Sequence, residues 1–122
     1  MKIIEAINRI DSLKRNTYTQ EDKIAWLSEI DWDVKKNVID THEGDDRDFT
    51  GYDDCTDVQT ELLIPEPHDK VYLLWLEAQI DYYNGEYEKY NNAMDMFSTA
   101  FTGFVNAYNR TNMPKGKRFK FF

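Results

Sequence analysis

A run of acidic residues in the middle of the chain has the spacing of a calcium-binding loop. In Asp46–Asp57, oxygen-bearing side chains fall at positions 1, 3, 5, 9 and 12, and Gly51 occupies position 6, the arrangement with which an EF-hand wraps a hard cation. Two positions depart from it: Asp53 replaces the aliphatic anchor at position 8, and Asp57 replaces the longer glutamate at position 12. The segment that follows also favours an extended conformation over an exit helix. We therefore predict a solvated, mobile acidic loop over Thr41–Thr60, with no metal site.

Other residues with reactive side chains do not form a catalytic pattern. His42 and His68 lie 26 residues apart, and neither a nucleophile setting nor a glycine-rich phosphate loop accompanies them. Cys55 is the only cysteine, so no disulfide can form within the chain, and its acidic neighbours disfavour a reactive thiolate. We predict no enzyme, no catalytic or cofactor-binding residues and no cofactor, and we interpret His68 as a helix-start residue.

Charge is distributed unevenly over the 122 residues, whose formal net charge is −8. Between Thr41 and Thr60, seven acids stand against one arginine, giving −6, whereas Asn109–Phe122 has five bases and no acid, giving +5, so residues 1–108 carry −13. An acidic body argues against a general DNA-binding surface. We find no signal-peptide pattern and no apolar run of membrane-spanning length, which predicts a cytoplasmic protein with no membrane contact.

Apolar periodicity predicts an all-α, four-helix bundle-like domain. Helices are expected at about residues 2–15, 20–39, 69–84 and 86–110, with Thr19 and Asp22 forming a capping box and Asn84-Gly85 breaking the last two helices apart. The third helix is apolar on two sides, which suits a central position or an interface. The fourth carries an aromatic stripe that we assign to the core, with Trp75 and Phe97 largely buried; the stripe is Tyr87, Tyr90, Met94, Phe97, Phe101, Phe104 and Tyr108.

The chain is divided into one domain over residues 1–113, which includes the acidic loop 41–60, and a basic aromatic tail, Pro114–Phe122. We predict that the tail docks onto a neighbouring subunit or another protein, and we consider Leu62-Leu63-Ile64, a brief edge strand or extended segment, as an acceptor. The alternatives are a tail that covers its own domain and a tail that binds DNA. The predicted partner-contact residues are Lys115, Lys117, Arg118, Phe119, Lys120, Phe121 and Phe122.

Three stretches of the chain carry a resemblance to a known family: Tyr72–Met94, Tyr108-Asn109-Arg110 and Pro114-Lys115-Gly116-Lys117-Arg118. They resemble small proteins encoded among phage and prophage head-morphogenesis genes, the head–tail connector (neck adaptor or head completion) family of tailed phages. The resemblance implies an all-α subunit that forms a ring below the portal, receives the tail machinery and lets DNA pass without specific binding. It also implies assembly in the host cytoplasm and a final place in the virion neck. The family has no catalytic residues to carry over.

Two other classes of protein remain open at this stage. An acidic inhibitor that mimics DNA would be a stable monomer or dimer that binds a basic protein. A small helical adaptor that binds a protein partner would present an open groove lined by aromatic side chains.

Overall fold

Four α-helices make up most of the computed structural model, which describes residues 1–41 and 48–111. They are α1 (Ile3–Leu13), α2 (Gln20–Val34), α3 (Lys70–Tyr83) and α4 (Tyr87–Thr111), and α2 continues as a π-helical segment, Lys35–Ile39. The all-α fold and the four predicted helices are confirmed, with ends within two residues of the predicted ones when the π-helical segment is counted with α2.

The ends of α2 and α3 follow from local side-chain and backbone chemistry. The Asp22 backbone N–H donates to Thr19 Oγ1 at 3.1 Å, and the Thr19 N–H donates to the Asp22 carboxylate at 3.4 Å, which is the predicted capping box. Gly85 separates α3 from α4 with a φ of +79°, a conformation that glycine adopts at little cost.

Helix α3 lies at the centre of the domain. It packs against α1, α2 and α4, whereas α4 packs almost entirely on α3. Side chains on several sides of α3 are fully buried, including Val71, Tyr72, Leu76 and Ile80. The two-sided apolar pattern of the third helix is thus explained by one face meeting α4 and the other meeting α1 and α2.

The aromatic stripe of α4 changes from buried to exposed along the helix. Phe104 and Tyr108 are buried, but Tyr87 is 61 % exposed. Trp75 and Phe97, which the sequence predicted to be largely buried, are each partly buried and pack against the core, with ring centroids 5.1 Å apart. The physical reason is that α4 has a single helical neighbour, so the contact between α3 and α4 keeps one side open to solvent.

The segment before α3 runs extended beside the start of the chain. The Ile3 N–H donates to Thr60 O at 3.0 Å, and the Leu62 N–H donates to Met1 O at 2.9 Å. Only one residue pair there, Lys2 with Glu61, has β-bridge geometry. Of the two conformations predicted for residues 61–64, the structure therefore has the extended segment, and no β-strand is present in the described part of the chain.

Candidate functional site

An apolar furrow runs along one side of α3, between α1 and α4. It exists because α4 packs on α3 and leaves a gap toward α1. Its volume is about 600 Å³. We call it the α3 furrow, and its apolar lining consists of Ile10 and Leu13 from α1, Leu73 and Leu74 from α3, and Met96 and Ala100 from α4.

Two of the lining side chains are unusually exposed for their type. Leu13 is 62 % exposed and Met96 is 59 % exposed. Single exposed apolar residues are common on proteins, but residues that face each other across a groove form a continuous patch, and such patches mark interaction sites. The α3 furrow is therefore the strongest candidate for a binding surface in the described residues.

Charged side chains stand on the rim of the furrow. Lys14 Nζ lies 2.7 Å from Asp81 Oδ1, and Asp81 is only 1 % exposed. The hydrogen bond with Asp81 raises the pKa of Lys14 against the opposing effect of burial, with smaller contributions from Glu77 and Glu86. The Lys14–Asp81 ion pair holds the end of α1 against α3. The other charged side chains on the rim are Glu77, Asp95 and Lys70.

The furrow continues at both ends of α3. Toward the start of α1 it joins a second depression lined by Glu5, Arg9, Glu66 and Asp69, and the two share Lys70 and Leu73. Toward the α3–α4 turn it joins a smaller one, with which it shares Lys14, Glu77 and Met96. The furrow and these two depressions together form one elongated channel that follows α3.

A second exposed surface lies at the α3–α4 turn and is rich in tyrosine. Tyr82 is 46 %, Tyr83 57 % and Tyr87 61 % exposed. The Tyr83 ring stacks on Trp26 with centroids 5.5 Å apart, and Tyr82 packs edge-on to Tyr83 at 5.1 Å. Tyrosine is enriched in protein interfaces because it combines apolar area with a hydroxyl group.

A buried carboxylate, Asp31, lies at the centre of a polar network in the core. It is 0 % exposed. Its Oδ1 accepts a hydrogen bond from the Tyr72 hydroxyl at 2.6 Å, and its Oδ2 accepts from the Tyr52 hydroxyl at 2.5 Å and the Leu63 N–H at 3.1 Å. The Tyr72 hydroxyl in turn accepts from the Ile64 N–H at 2.7 Å.

This network is structural, because its polar groups satisfy one another. Burial, and then the charge of Asp31, raises the pKa of both Tyr52 and Tyr72 above the usual value for a phenol. The hydroxyls therefore stay protonated and act as donors. What the network does is tie residues 52 and 63–64 to α2 and α3.

The described part of the acidic loop, residues 48–60, which was predicted to be mobile, is anchored to α2. Phe49 packs edge-on to Trp32 and to Tyr52, with both pairs of ring centroids 4.9 Å apart. The Tyr52 N–H donates to Ser28 Oγ at 3.0 Å. The acids of this segment point outward, while its aromatic side chains attach it to the helix. His42–Arg47 lie outside the described residues.

The segment with the spacing of a calcium loop does not have EF-hand geometry in its described part. Asp53, Asp54 and Cys55 present ligand atoms within 4.8 Å of one another, all exposed. However, Asp53 Oδ1 already accepts from the Cys55 N–H at 2.9 Å and from Thr56 Oγ1 at 3.2 Å, so it closes a local turn. Residues 57–64 form turns and the extended segment in place of an exit helix.

The predicted partner-contact residues, Lys115 to Phe122, lie outside the described residues. Their proposed acceptor, Leu62-Leu63-Ile64, is described and is unsuited to strand addition. The N–H groups of these three residues donate to Met1 O, Asp31 and the Tyr72 hydroxyl, and Leu62 and Ile64 are buried. That acceptor prediction is wrong. His68, predicted to be a helix-start residue, lies two positions before the first residue of α3, and its ring lies 6.0 Å from that of Phe104.

Sequence reasoning missed the α3 furrow, although the sequence contains one sign of it, Met96. Met96 lies off the stripe of α4, which passes through Met94 and Phe97, so it is an apolar residue on a face that the stripe leaves to solvent. Asp31 was also missed. It lies four residues after Leu27 and three residues before Val34. It is therefore a carboxylate at a position where the helical repeat places an apolar side chain.

None of the helices in the described residues combines the length and the apolarity that crossing a membrane requires. Comparison of the chain with models of protein families, with curated proteins and with solved structures finds no match.

Proposed function

We propose that this chain is a structural subunit of the head–tail connector kind: it forms a ring with copies of itself between the portal of a phage or prophage head and the tail, around the DNA channel. It acts without catalysing a reaction and without a cofactor. In this proposal it assembles in the host cytoplasm and ends in the virion neck, where it contacts portal and tail or neck proteins.

The α3 furrow is the observation that carries the proposal. The α3 furrow leaves Leu13 and Met96 more than half exposed. Exposed apolar surface costs about 25 cal/mol per Å² in water. A subunit that works inside an assembly removes this cost by burying the channel against a neighbour. The exposed tyrosines Tyr82, Tyr83 and Tyr87 add a second surface of the composition found at protein interfaces.

The charge of the chain supports a role beside DNA that does not involve gripping it. Residues 1–108 carry a formal charge of −13, which repels phosphate. Among the described residues, the buried charged side chains Asp31, Asp81 and Lys23 are engaged in holding the fold: Lys23 Nζ, for example, lies 2.7 Å from Asp11 Oδ1 and 3.0 Å from Tyr18 O. This use of the polar side chains favours a structural role over a catalytic one.

The same furrow favours one second candidate, a helical adaptor that binds a peptide of a different protein. The sequence-based version of that hypothesis expected an aromatic groove, whereas the furrow is lined mainly by aliphatic side chains and methionine. An adaptor would remain monomeric in the absence of its target, and this separates it from a ring subunit.

The test is the mass of the full-length chain in solution, measured by light scattering and sedimentation, with and without a portal protein. We expect rings visible by electron microscopy, formed by the chain alone or on addition of the portal. Met96→Lys should reduce assembly, because it places a positive charge in the apolar furrow. Ser98→Lys is the matched control, since Ser98 is exposed on the same helix and does not line the furrow. A chain that stays monomeric under both conditions would contradict the proposal.

A further inference from the structure

We propose that the occupant of the α3 furrow is the tail Pro114–Phe122 of a second copy of this chain. The inference deepens the proposed function and rests on it in one respect, because it requires the chain to associate with itself.

The dimensions of the furrow suit an extended peptide of this length. Helix α3 has 14 residues, so the channel along it is about 21 Å long at 1.5 Å per residue. An extended segment of six or seven residues covers that distance at about 3.3 Å per residue. The nine residues of the tail are therefore enough to fill the furrow and to bridge from a neighbouring molecule.

The side chains of the tail match the furrow in polarity. In Arg118-Phe119-Lys120-Phe121, the two phenylalanines alternate with two bases, and an extended backbone places alternate residues on opposite faces. Phe119 and Phe121 can then face the apolar floor while Arg118 and Lys120 face the rim.

The charges are complementary as well. The tail has four bases, Lys115, Lys117, Arg118 and Lys120, and no acid. Six carboxylates and four basic side chains line the furrow and the depressions that adjoin it. Two of the carboxylates are already paired: Asp81 with Lys14 at 2.7 Å and Asp69 with the Met1 amino group at 3.5 Å. The other acids are Glu77, Asp95, Glu5 and Glu66, and the other bases are Lys70, Arg9 and Lys89.

The length of the chain beyond α4 favours a second copy over the same molecule. Helix α4 ends at Thr111, about 22 Å along its axis from Met96. A tail that folds back on its own domain needs about four residues to reverse direction. Phe119 then reaches only about 13 Å back along α4, about 9 Å short of Met96, so a tail folded back on its own molecule leaves the Met96 end of the furrow without this anchor. The tail of a neighbour is free of this limit.

Disulfide trapping between two variants of the full chain tests the proposal. Both carry Cys55→Ser, which removes the exposed native thiol; one also carries Met96→Cys and the other Phe119→Cys, on chains tagged to differ in size. We expect mixed oxidation to give a dimer of the two variants, in about tenfold higher yield than with Ser98→Cys in place of Met96→Cys, because a seated tail raises the local thiol concentration. A synthetic peptide of residues 114–122 should reduce the yield.

Several outcomes would overturn the inference, and they are distinguishable from failure of the proposed function. Equal yields from positions 96 and 98 would show that the tail does not occupy the furrow. A double variant, Met96→Cys with Phe119→Cys, that forms only a bond within one chain would assign the furrow to the molecule's own tail. If rings form in the sedimentation experiment and no bond forms at position 96, the connector proposal stands and this inference is wrong. If the chain is monomeric throughout, both fail.

Discussion

The core around Asp31 and the α3 furrow use side chains in opposite ways. In the core, a charged residue is fully buried and accepts hydrogen bonds from the hydroxyls of Tyr52 and Tyr72 and from the Leu63 N–H. In the furrow, Leu13 and Met96 are left mostly in water. The buried polar groups stabilise the fold, whereas the exposed apolar groups add little to it, and this contrast makes the furrow, rather than the most chemically unusual residue, the candidate functional surface.

Removing the central carboxylate should give the largest effect. Asp31→Ala leaves two buried hydroxyls and the Leu63 N–H without this acceptor, and each unsatisfied buried group costs about 1–3 kcal/mol. We expect the free energy of unfolding to fall by about 3–5 kcal/mol in urea denaturation. Asp31→Asn keeps one acceptor oxygen and should lose less. Asp33 is exposed on the same helix, and Asp33→Ala should change the free energy of unfolding by under about 0.5 kcal/mol. Equal losses at positions 31 and 33 would end the contrast.

Alkaline pH should weaken the same network without any mutation. Burial and Asp31 raise the pKa of Tyr52 and Tyr72, so above about pH 10 the unfolded chain ionises these phenols and the folded chain does not. The unfolded state then binds fewer protons, and stability decreases as pH rises, by up to about 1.4 kcal/mol per pH unit for each tyrosine.

Unfolding midpoints between pH 9 and 11 would measure this decrease. Tyr52→Phe should reduce the slope of stability against pH by the contribution of one tyrosine. Stability that stays constant through this range would contradict a protonated, buried network.

Substitution of Gly51 should give a loss of stability of intermediate size, because a glycine at this position lets the loop approach α2. Its φ is +92°, and a Cβ there would lie 2.9 Å from Trp32 Nε1 and 3.3 Å from Ser28 Oγ. We expect Gly51→Ala to cost about 1–3 kcal/mol in thermal or urea unfolding. Gly103→Ala is the matched control: it lies within α4 with no atom within 4 Å of a new Cβ, and it should stabilise by about 0.5–1 kcal/mol. Destabilisation at 103 equal to that at 51 would be inconsistent with this packing.

The smallest change in stability is expected at Leu13, on the wall of the furrow. Ile10 and Leu13 both line the furrow, but Ile10 is 2 % exposed and Leu13 is 62 % exposed. Ile10→Ala should cost about 2–5 kcal/mol, and Leu13→Ala under about 0.5 kcal/mol. Similar losses for both would mean that the furrow is part of the core, and the contrast with the Asp31 network would disappear.

Local signals in the sequence predicted the helices well. The Thr19 and Asp22 pair, the Asn84-Gly85 break and the two-sided apolar pattern of α3 each depend on residues close together in the chain, so spacing alone was sufficient. The centrality of α3 followed from the same pattern.

The furrow and the anchored loop depend on distances that the sequence does not contain. Met96 is exposed because α4 packs against one helix only. No local pattern in the sequence determines how many neighbours a helix has. The loop was predicted to be mobile from its acids, but its conformation depends on Phe49 and Tyr52 meeting Trp32 and Asp31, which lie about twenty residues earlier in the chain.

The central position of α3 also affects how the chain folds during synthesis. Helices α1 and α2 are made first, yet each packs on α3, which is complete only at Tyr83. The ribosome takes about 2–9 s to travel from Ile39 to Tyr83 at about 5–20 residues per second. During that interval, the apolar faces of α1 and α2, with Ile3, Ile7, Leu27 and Val34, have no helix to cover them except each other. The nascent chain is therefore expected to need protection from aggregation until its third helix emerges.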